Sequence, residues 1–329
     1  MIQVVKADAP PPAWKLFWPY VALAVLGLAW SAYWYVASNA TQRALDGWFA
    51  QERSLGRNWT CGERNLGGYP FRIELRCASA KFEGRLGGAQ GKASVGDLLA
   101  AAHLYRPSLV VAQISGPLAF RADQSGLDFT MDWGKLLISH RMNGSTLEQT
   151  SVEIEAPVLR LSDQANVKAD RLEIHLRATP GQPADLSAYD LAVRLEKLAT
   201  PVLDTLTGES DPLDLILSLT SLRTGAFAGA SVPQSLESWR LAQGTVEIRE
   251  MKLAKGKARI EASGQLSLDD LHRLRGKLDL QLTGLGTVMQ RSGMPLAVNG
   301  QNMRVPLTLE NGRVSVGLLR FNWALPPLY

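Results

Sequence analysis

Cysteine and histidine are scarce in this chain: two of the first and four of the second in 329 residues. His103, His140, His175 and His272 form no HxH, HxxxH or HExxH spacing, and neither cysteine belongs to a CxxC. Zinc sites and dithiol redox centres are built on such spacings, so no metal centre and no cofactor is expected. A GxSxG nucleophile elbow is also missing. The glycine-rich stretch GGAQGKAS (87–94) has Leu86 where a phosphate loop needs its first glycine, and Ala93 where it needs a Ser or Thr. It reads as a turn between strands. With no acid, base, nucleophile or metal constellation in view, the chain is not expected to be an enzyme.

Charge is thinly spread. The net value is +4 and no run of five or six like charges occurs, which leaves no tail for nucleic acid. The longest gap in charge is the informative one: no Asp, Glu, Lys or Arg falls between Lys15 and Arg43.

That gap holds LFWPYVALAVLGLAWSAYWYV, Leu16 to Val36. A bilayer core needs about 20 apolar residues in a helix, and this stretch supplies them. Trp14, Phe17, Trp18 and Tyr20 crowd one end, and Trp30, Tyr33, Trp34 and Tyr35 the other. Amphipathic rings favour the headgroup layer. Pro19 is expected in the first helical turn, where a missing N–H costs least. The competing reading is a cleaved signal peptide, with Ser38 and Ala40 as the small residues of a cleavage site. An export signal's apolar region is usually about 7–15 residues, shorter than this one. The expectation is an uncleaved transmembrane helix over 16–37, preceded by a cytoplasmic tail (1–15) and followed by a helical stalk (38–60).

The flanking charges do not orient the helix; the cysteines bear on that. Cys61 and Cys77 both follow the anchor. In an exported domain such a pair reads as one disulfide; two separate buried thiols are the alternative. A bridge implies an oxidising compartment, hence a bacterial inner-membrane protein with its main domain (61–329) in the periplasm.

From Cys61 onward the hydrophobic period becomes two. Ile73 and Leu75 alternate with Arg72, Glu74 and Arg76, while Leu172, Ile174 and Leu176 alternate with Arg171, Glu173, His175 and Arg177. Ile260, Ala262 and Leu266 alternate with Arg259, Glu261 and Gln265. Leu278, Leu280 and Leu282 alternate with Lys277, Asp279 and Gln281. Such alternation predicts half-buried antiparallel strands with one apolar face. Turns are expected at Gly87-Gly88, Asn143-Gly144, Pro180-Gly181 and Asn311-Gly312. Pro107, Pro117, Pro157 and Pro306 are expected at strand edges or starts. Short helices are predicted at 201–208, 235–243 and 287–293, and soft boundaries near 180–186 and 226–234. Asp269 and Asp270 read as a solvated turn.

The segment CGERNLGGYPFRIELRC, Cys61 to Cys77, resembles the DUF2125 family of alphaproteobacterial membrane-anchored proteins, whose function is unknown. LYRPSLVVAQISGPLAF (104–120) is similar to that family too. The block at 239–284 and the closing NGRVSVG (311–317) also resemble the broader AsmA-like envelope proteins. That resemblance implies a large antiparallel, curled β-sheet, as a groove or a sandwich, with a few short helices. It also implies a possible role for membrane lipid as partner. The family has no known catalytic residues to transfer. The fold class expected is therefore mainly β behind a transmembrane helix. The candidate working surface is the apolar strand face carrying Ile260, Ala262, Leu266, Leu278, Leu280 and Leu282. Ala262 and the neighbouring Gly264 would either leave room for an acyl chain or accept large neighbours. A packed core with no ligand space, as in a non-enzymatic periplasmic scaffold, is the rival reading.

Overall fold

The computed structural model describes residues 14–86, 89–123, 128–144, 146–161, 164–182, 187–223, 232–286, 302–317 and 319–329. It is mainly β. Helix α1 (Trp14–Ser54) comes first. Strands β1 (Asn58–Thr60), β2 (Glu63–Gly67), β3 (Arg72–Ala78), β4 (Lys81–Leu86) and β5 (Ala89–Ser94) follow. Next come β6 (Leu98–His103), β7 (Arg106–Ile114), β8 (Leu118–Ala122), β9 (Asp128–Asp132), β10 (Lys135–Asn143) and β11 (Thr146–Glu155). The middle of the chain holds β12 (Val158–Leu161), β13 (Gln164–Lys168), β14 (Arg171–Ala178), β15 (Tyr189–Leu198), α2 (Pro201–Thr207), β16 (Leu213–Leu222) and α3 (Val232–Leu241). It closes with β17 (Thr245–Lys255), β18 (Ala258–Leu268), β19 (Leu274–Thr283), β20 (Met303–Glu310), β21 (Arg313–Val316) and β22 (Leu319–Ala324).

Helix α1 is continuous through the apolar stretch and the stalk. At 1.5 Å per residue its 41 residues span roughly 60 Å. Its window passes the length and hydropathy requirements of a membrane span, and none of that window is buried against the protein. Because the helix already begins at Trp14, Pro19 lies inside it rather than in the first turn. The stalk helix stops at Ser54, short of residue 60. Leu55 and Gly56 close it with bonds to Gln51, Glu52 and Arg53 carbonyls, and 58–60 form β1.

The strands make two antiparallel sheets. The smaller has seven strands in the order β1-β4-β5-β8-β9-β12-β13, and the larger fifteen in the order β2-β3-β6-β7-β10-β11-β14 to β22. From β3 to β14 the chain crosses between the sheets at a series of short joints. Ser79 and Ala156 turn the chain there with positive φ (50° and 49°). Backbone bonds run across these joints: Gly96 N–H to Ser115 O (3.1 Å), Ser115 N–H to Asp97 O (2.8 Å), and Ala156 N–H to Asp170 O (2.8 Å). The Trp133 indole, at the β9–β10 joint, donates to Ile114 O at 2.8 Å. Backbone groups that leave one ladder are thus satisfied by the next joint, as buried polar groups must be.

Asn311-Gly312 is the expected hairpin turn; at the other site Asn143 still pairs with Thr146 as the last residue of β10, so the loop begins one residue later than expected, at Gly144. Asn311 and Gly312 have φ of 53° and 73° between paired Glu310 and Arg313, the signature of a two-residue primed turn. Pro180-Gly181 joins β14 to β15, so the larger sheet continues through the soft boundary there; it also continues from β16 to β17 across 226–234. Pro306 departs from expectation, sitting inside β20. Its carbonyl accepts from Gly317 N–H, just past the end of β21. The missing N–H therefore faces a point where the ladder has stopped. Helices α2 and α3 match the predictions at 201–208 and 235–243 in place. The predicted helix at 287–293 and the Gly87-Gly88 turn lie outside the described residues.

Cys61 and Cys77 form a disulfide, with Cα atoms 5.4 Å apart and a sequence separation of 16. It closes the loop that carries β2, the 68–71 turn and most of β3. Replacing both cysteines (Cys61→Ser with Cys77→Ala) should lower stability by about 3 kcal/mol on loop-entropy grounds. Thermal unfolding of the full chain checks this; an unchanged midpoint would contradict it.

Candidate functional site

The larger sheet has one face that is apolar almost without interruption. Paired residues on neighbouring antiparallel strands share a face, so the registers define rows. One row runs Leu66, Leu75, Ala100, Ala112, Ile138, Val152, Ile174, Val193, Leu217, Met251, Ala262, Leu280, Val305. It takes one residue from each strand between β2 and β20. At about 4.8 Å per strand it extends roughly 58 Å. The next row runs from Cys77 through Leu98, Ile114, Leu136, Ile154, Leu172, Leu195, Leu215, Leu253, Ile260 and Leu282 to Met303.

All six residues expected on the working face are brought together. Ile260 pairs with Leu282, Ala262 with Leu280, Gly264 with Leu278 and Leu266 with Gly276. Ala262, Leu278 and Leu282 are buried, while Ile260, Leu266 and Leu280 are half-buried. Sequence reading found this end of the face. It missed the length of the rows, which only the pairing register reveals.

The face is covered unevenly. Except for Ala262, every member of the first row is only half-buried. The second row is better covered, with Cys77, Leu136, Ile154 and Leu282 buried, although among the described residues no side chain is below 2% exposed.

Gly264 and Gly276 do not leave empty space on this face. A Cβ on Gly264 would lie 2.2 Å from Lys277 O and 3.1 Å from Leu278 Cδ2, and one on Gly276 would lie 2.1 Å from Gln265 O and 3.0 Å from Leu266 Cδ2. Both have positive φ, 147° and 152°. Each leucine thus lies over the glycine of the facing strand. Of the two uses foreseen for Gly264, the structure shows the acceptance of a large neighbour, Leu278.

Two depressions lie on the opposite, polar side of the sheets. One, of about 850 Å³, lies on the smaller sheet among Lys81, Glu83, Lys92, Ser94, Arg121, Asp128, Thr130 and Arg160. These residues flank the row Phe82, Ala93, Phe120, Phe129, Leu161 on both sides. The polar side chains therefore form its walls, and the backbone of that row its floor. The second, of about 580 Å³, has the same construction, with Lys252, Glu261, Ser263, Asp279, Gln281 and Arg304 around the Met251–Ala262–Leu280–Val305 row.

Helix α1 grips the domain at three levels, the lower two on the edge of the larger sheet and the third beside β1 of the smaller one. Lowest, Trp30 Nε1 donates to Pro70 O (2.8 Å), Trp34 Nε1 to Arg72 O (2.9 Å), and Ser31 Oγ bonds Tyr69 Oη (2.9 Å). Tyr69 and Pro70 belong to the Gly-Tyr-Pro-Phe turn between β2 and β3, and Arg72 is the first residue of β3. Midway, Arg64 pairs with Asp46 at 2.7 Å and lies over the Phe49 ring. Highest, Glu52 accepts from both Arg57 Nε and Nη2 (2.7 and 2.5 Å) and from Trp59 Nε1 (3.0 Å). The Arg57 hydrogen bonds hold the Glu52 carboxyl down at about 2, against its usual 4.5.

Polar clusters elsewhere are structural. Glu74 is buried although it belongs to the polar face, because Arg72 and Arg76 on the same strand fold over it at 2.5 and 3.3 Å. Lys255, 3% exposed, pairs with Asp204 at 2.7 Å and ties α2 to the sheet. Asp269 is not solvated as expected. Its carboxylate accepts from the N–H groups of Leu271 and Arg273 and from Arg273 Nε, all at 2.9 Å, and so shapes the β18–β19 turn. The four histidines are dispersed: His103 stacks on Tyr105, His140 bonds Thr150, His175 lies 4.0 Å from Glu173, and His272 stacks on Tyr329. Among the described residues no three His, Cys, Asp or Glu side chains gather as a metal site.

A long apolar helix clamped to the edge of two linked antiparallel sheets, one with an extended half-covered apolar face, defines a class of membrane-anchorable β-domain proteins. The chain belongs to the family described as uncharacterized proteins conserved in bacteria, DUF2125, whose model matches residues 34–321. No curated protein and no solved structure matches it.

Two outcomes follow from this geometry. Gly264→Ala should destabilise the domain by about 1–3 kcal/mol, the usual cost of overpacking, read as a lowered urea midpoint; an unchanged midpoint would refute the close approach. Glu52 has a depressed carboxyl, so its contribution is complete above pH 4.5 and is lost as pH falls toward about 2. Between those values the melting temperature of Glu52→Gln should fall less steeply than that of the unaltered chain. Parallel curves would show that the clamp carries no linkage.

Proposed function

We propose that this chain is a bitopic bacterial inner-membrane protein whose periplasmic β-domain binds lipid acyl chains along the apolar face of its larger sheet, in support of envelope maintenance. The observation that carries this reading is the unbroken apolar row from Leu66 to Val305, half-buried along nearly its whole length. Moving a methylene from water to such a surface is worth about 0.8 kcal/mol, and an acyl chain presents many in a line. The row is also longer than a chain of about 20 Å.

The anchor and orientation rest on α1 and the disulfide. A 41-residue helix with an uncharged stretch of bilayer length supports a single span. A disulfide in the domain beyond it supports an oxidising compartment, and on that reading residues 1–15 face the cytoplasm. The rival reading is a non-enzymatic scaffold binding partners at its sheet edges. The polar depressions favour it; the lack of any fully buried side chain among the described residues favours lipid.

Photocrosslinking decides between them. A benzophenone amino acid replacing Leu280, on the apolar face, should capture lipid from the native membrane. One replacing Gln281, on the polar face, should capture several-fold less. Equal lipid yields, or discrete protein adducts from both positions, would overturn the lipid reading.

A further inference from the structure

We infer that the edge of the domain formed by the 68–72 turn and the 103–106 hairpin is a membrane-docking surface, seated in the headgroup layer of the bilayer that α1 spans. This rests on α1 being a span; it does not need acyl chains on the apolar face. Three observations carry it.

The first is height. Leu16 to Val36 covers about 31 Å at the helical rise, the thickness of the hydrocarbon core. Trp30 and Trp34 lie within that stretch, roughly 9 and 3 Å below its outer end. Their indoles are bonded to Pro70 O and Arg72 O. The domain's 68–72 turn is therefore held level with the outer end of the span rather than above it.

The second is composition. Tyr69, Phe71 and Tyr105 are 59%, 61% and 70% exposed. They are neighbours: Arg72 pairs with His103, and Leu104 N–H donates to Phe71 O at 3.0 Å. Three open aromatic rings on one edge would be a liability in water. Beside an aromatic belt they match it, since such rings favour the interface. Trp30 lies 6.3 Å from Phe71 and Trp34 5.5 Å from Tyr69, which makes the belt of the helix and the rings of the domain one continuous surface.

The third is charge. Arg72 and Arg106 flank the rings, and both are exposed. Arg72 shares Glu74 with Arg76, so this edge carries more positive than negative charge. Guanidinium groups at that level meet the phosphates of lipid headgroups, to which they bond as forks. The docked domain would then stand with its first strands, and the start of the apolar rows, at the membrane surface.

The test is site-directed spin labelling of the full chain in vesicles containing anionic lipid, with collision rates measured for oxygen and for a water-soluble nickel chelate. Labels go on Tyr105→Cys, on Leu28→Cys within the span, and on Val202→Cys, an exposed site on α2 at the far ends of the strands. The native cysteines are bridged and unreactive under non-reducing conditions. The expected result is oxygen-dominated relaxation at Leu28, a several-fold higher oxygen-to-nickel ratio at Tyr105 than at Val202, and aqueous behaviour at Val202. An aqueous label at Tyr105 with a lipid-buried one at Leu28 would overturn the docking and leave the span intact. An aqueous label at Leu28 would overturn the span and the docking with it. A lipid-buried label at Val202 would overturn the restriction to this edge.

Discussion

Register is the constraint on which the structure depends. A strand's side chains alternate between faces, so a slip of one residue turns an apolar face into a polar one. In the larger sheet the apolar rows run from β2 to β20, with an irregularity between Ile248 and Met251 in β17 keeping both on the same face, although the chain leaves for the smaller sheet and returns several times. The joints make this possible. Ser79 and Ala156 take left-handed conformations, and the bonds among Gly96, Ser115 and Asp97 carry the ladder across. The result is an apolar surface far longer than any one strand and only half covered. Two helices of seven and ten residues are the only described ones after α1.

The clamp between α1 and the domain gives that surface its address. The disulfide closes the loop whose tip accepts the Trp30 and Trp34 indoles, so the bridge and the clamp act on the same segment. Higher up, Glu52, Arg57 and Trp59 fix the place where helix gives way to strand. The helix has no Asp, Glu, Lys, Arg or His over its apolar stretch. Its own chemistry is that of a tether, and its specific bonds serve to set the height and tilt of what it carries.

Much of this was legible in the sequence. Period two marked the strands, Asn311-Gly312 a hairpin, and an uncharged aromatic-ended stretch the long apolar helix. The six residues from Ile260 to Leu282 were placed on one face because alternation alone decides that. What stayed hidden was non-local. The second sheet depends on joints made by ordinary residues, Ser79 and Ala156 among them, whose left-handed backbone leaves no compositional mark. Glu74 and Asp269 read as surface charges; neighbouring arginines and backbone N–H groups bury them. Pro306 looked like a strand edge and lies inside a strand where its neighbour ends. Gly264 gave two options, and only the cross-strand register shows that Leu278 fills its space. Trp30 and Trp34 were visible as belt residues, but their backbone partners, Pro70 and Arg72, are about forty positions away.

The central claim is that the apolar face is a lipid surface rather than half of an unfinished core. The most direct measurement is an experimental map of the full chain in bilayer discs made from its native membrane. The account predicts tubular density lying along the Leu66–Val305 row, continuous over at least the roughly 20 Å of an acyl chain and starting at the α1 edge. Side chains closed over that row at core density, with no tube beside them, would contradict it.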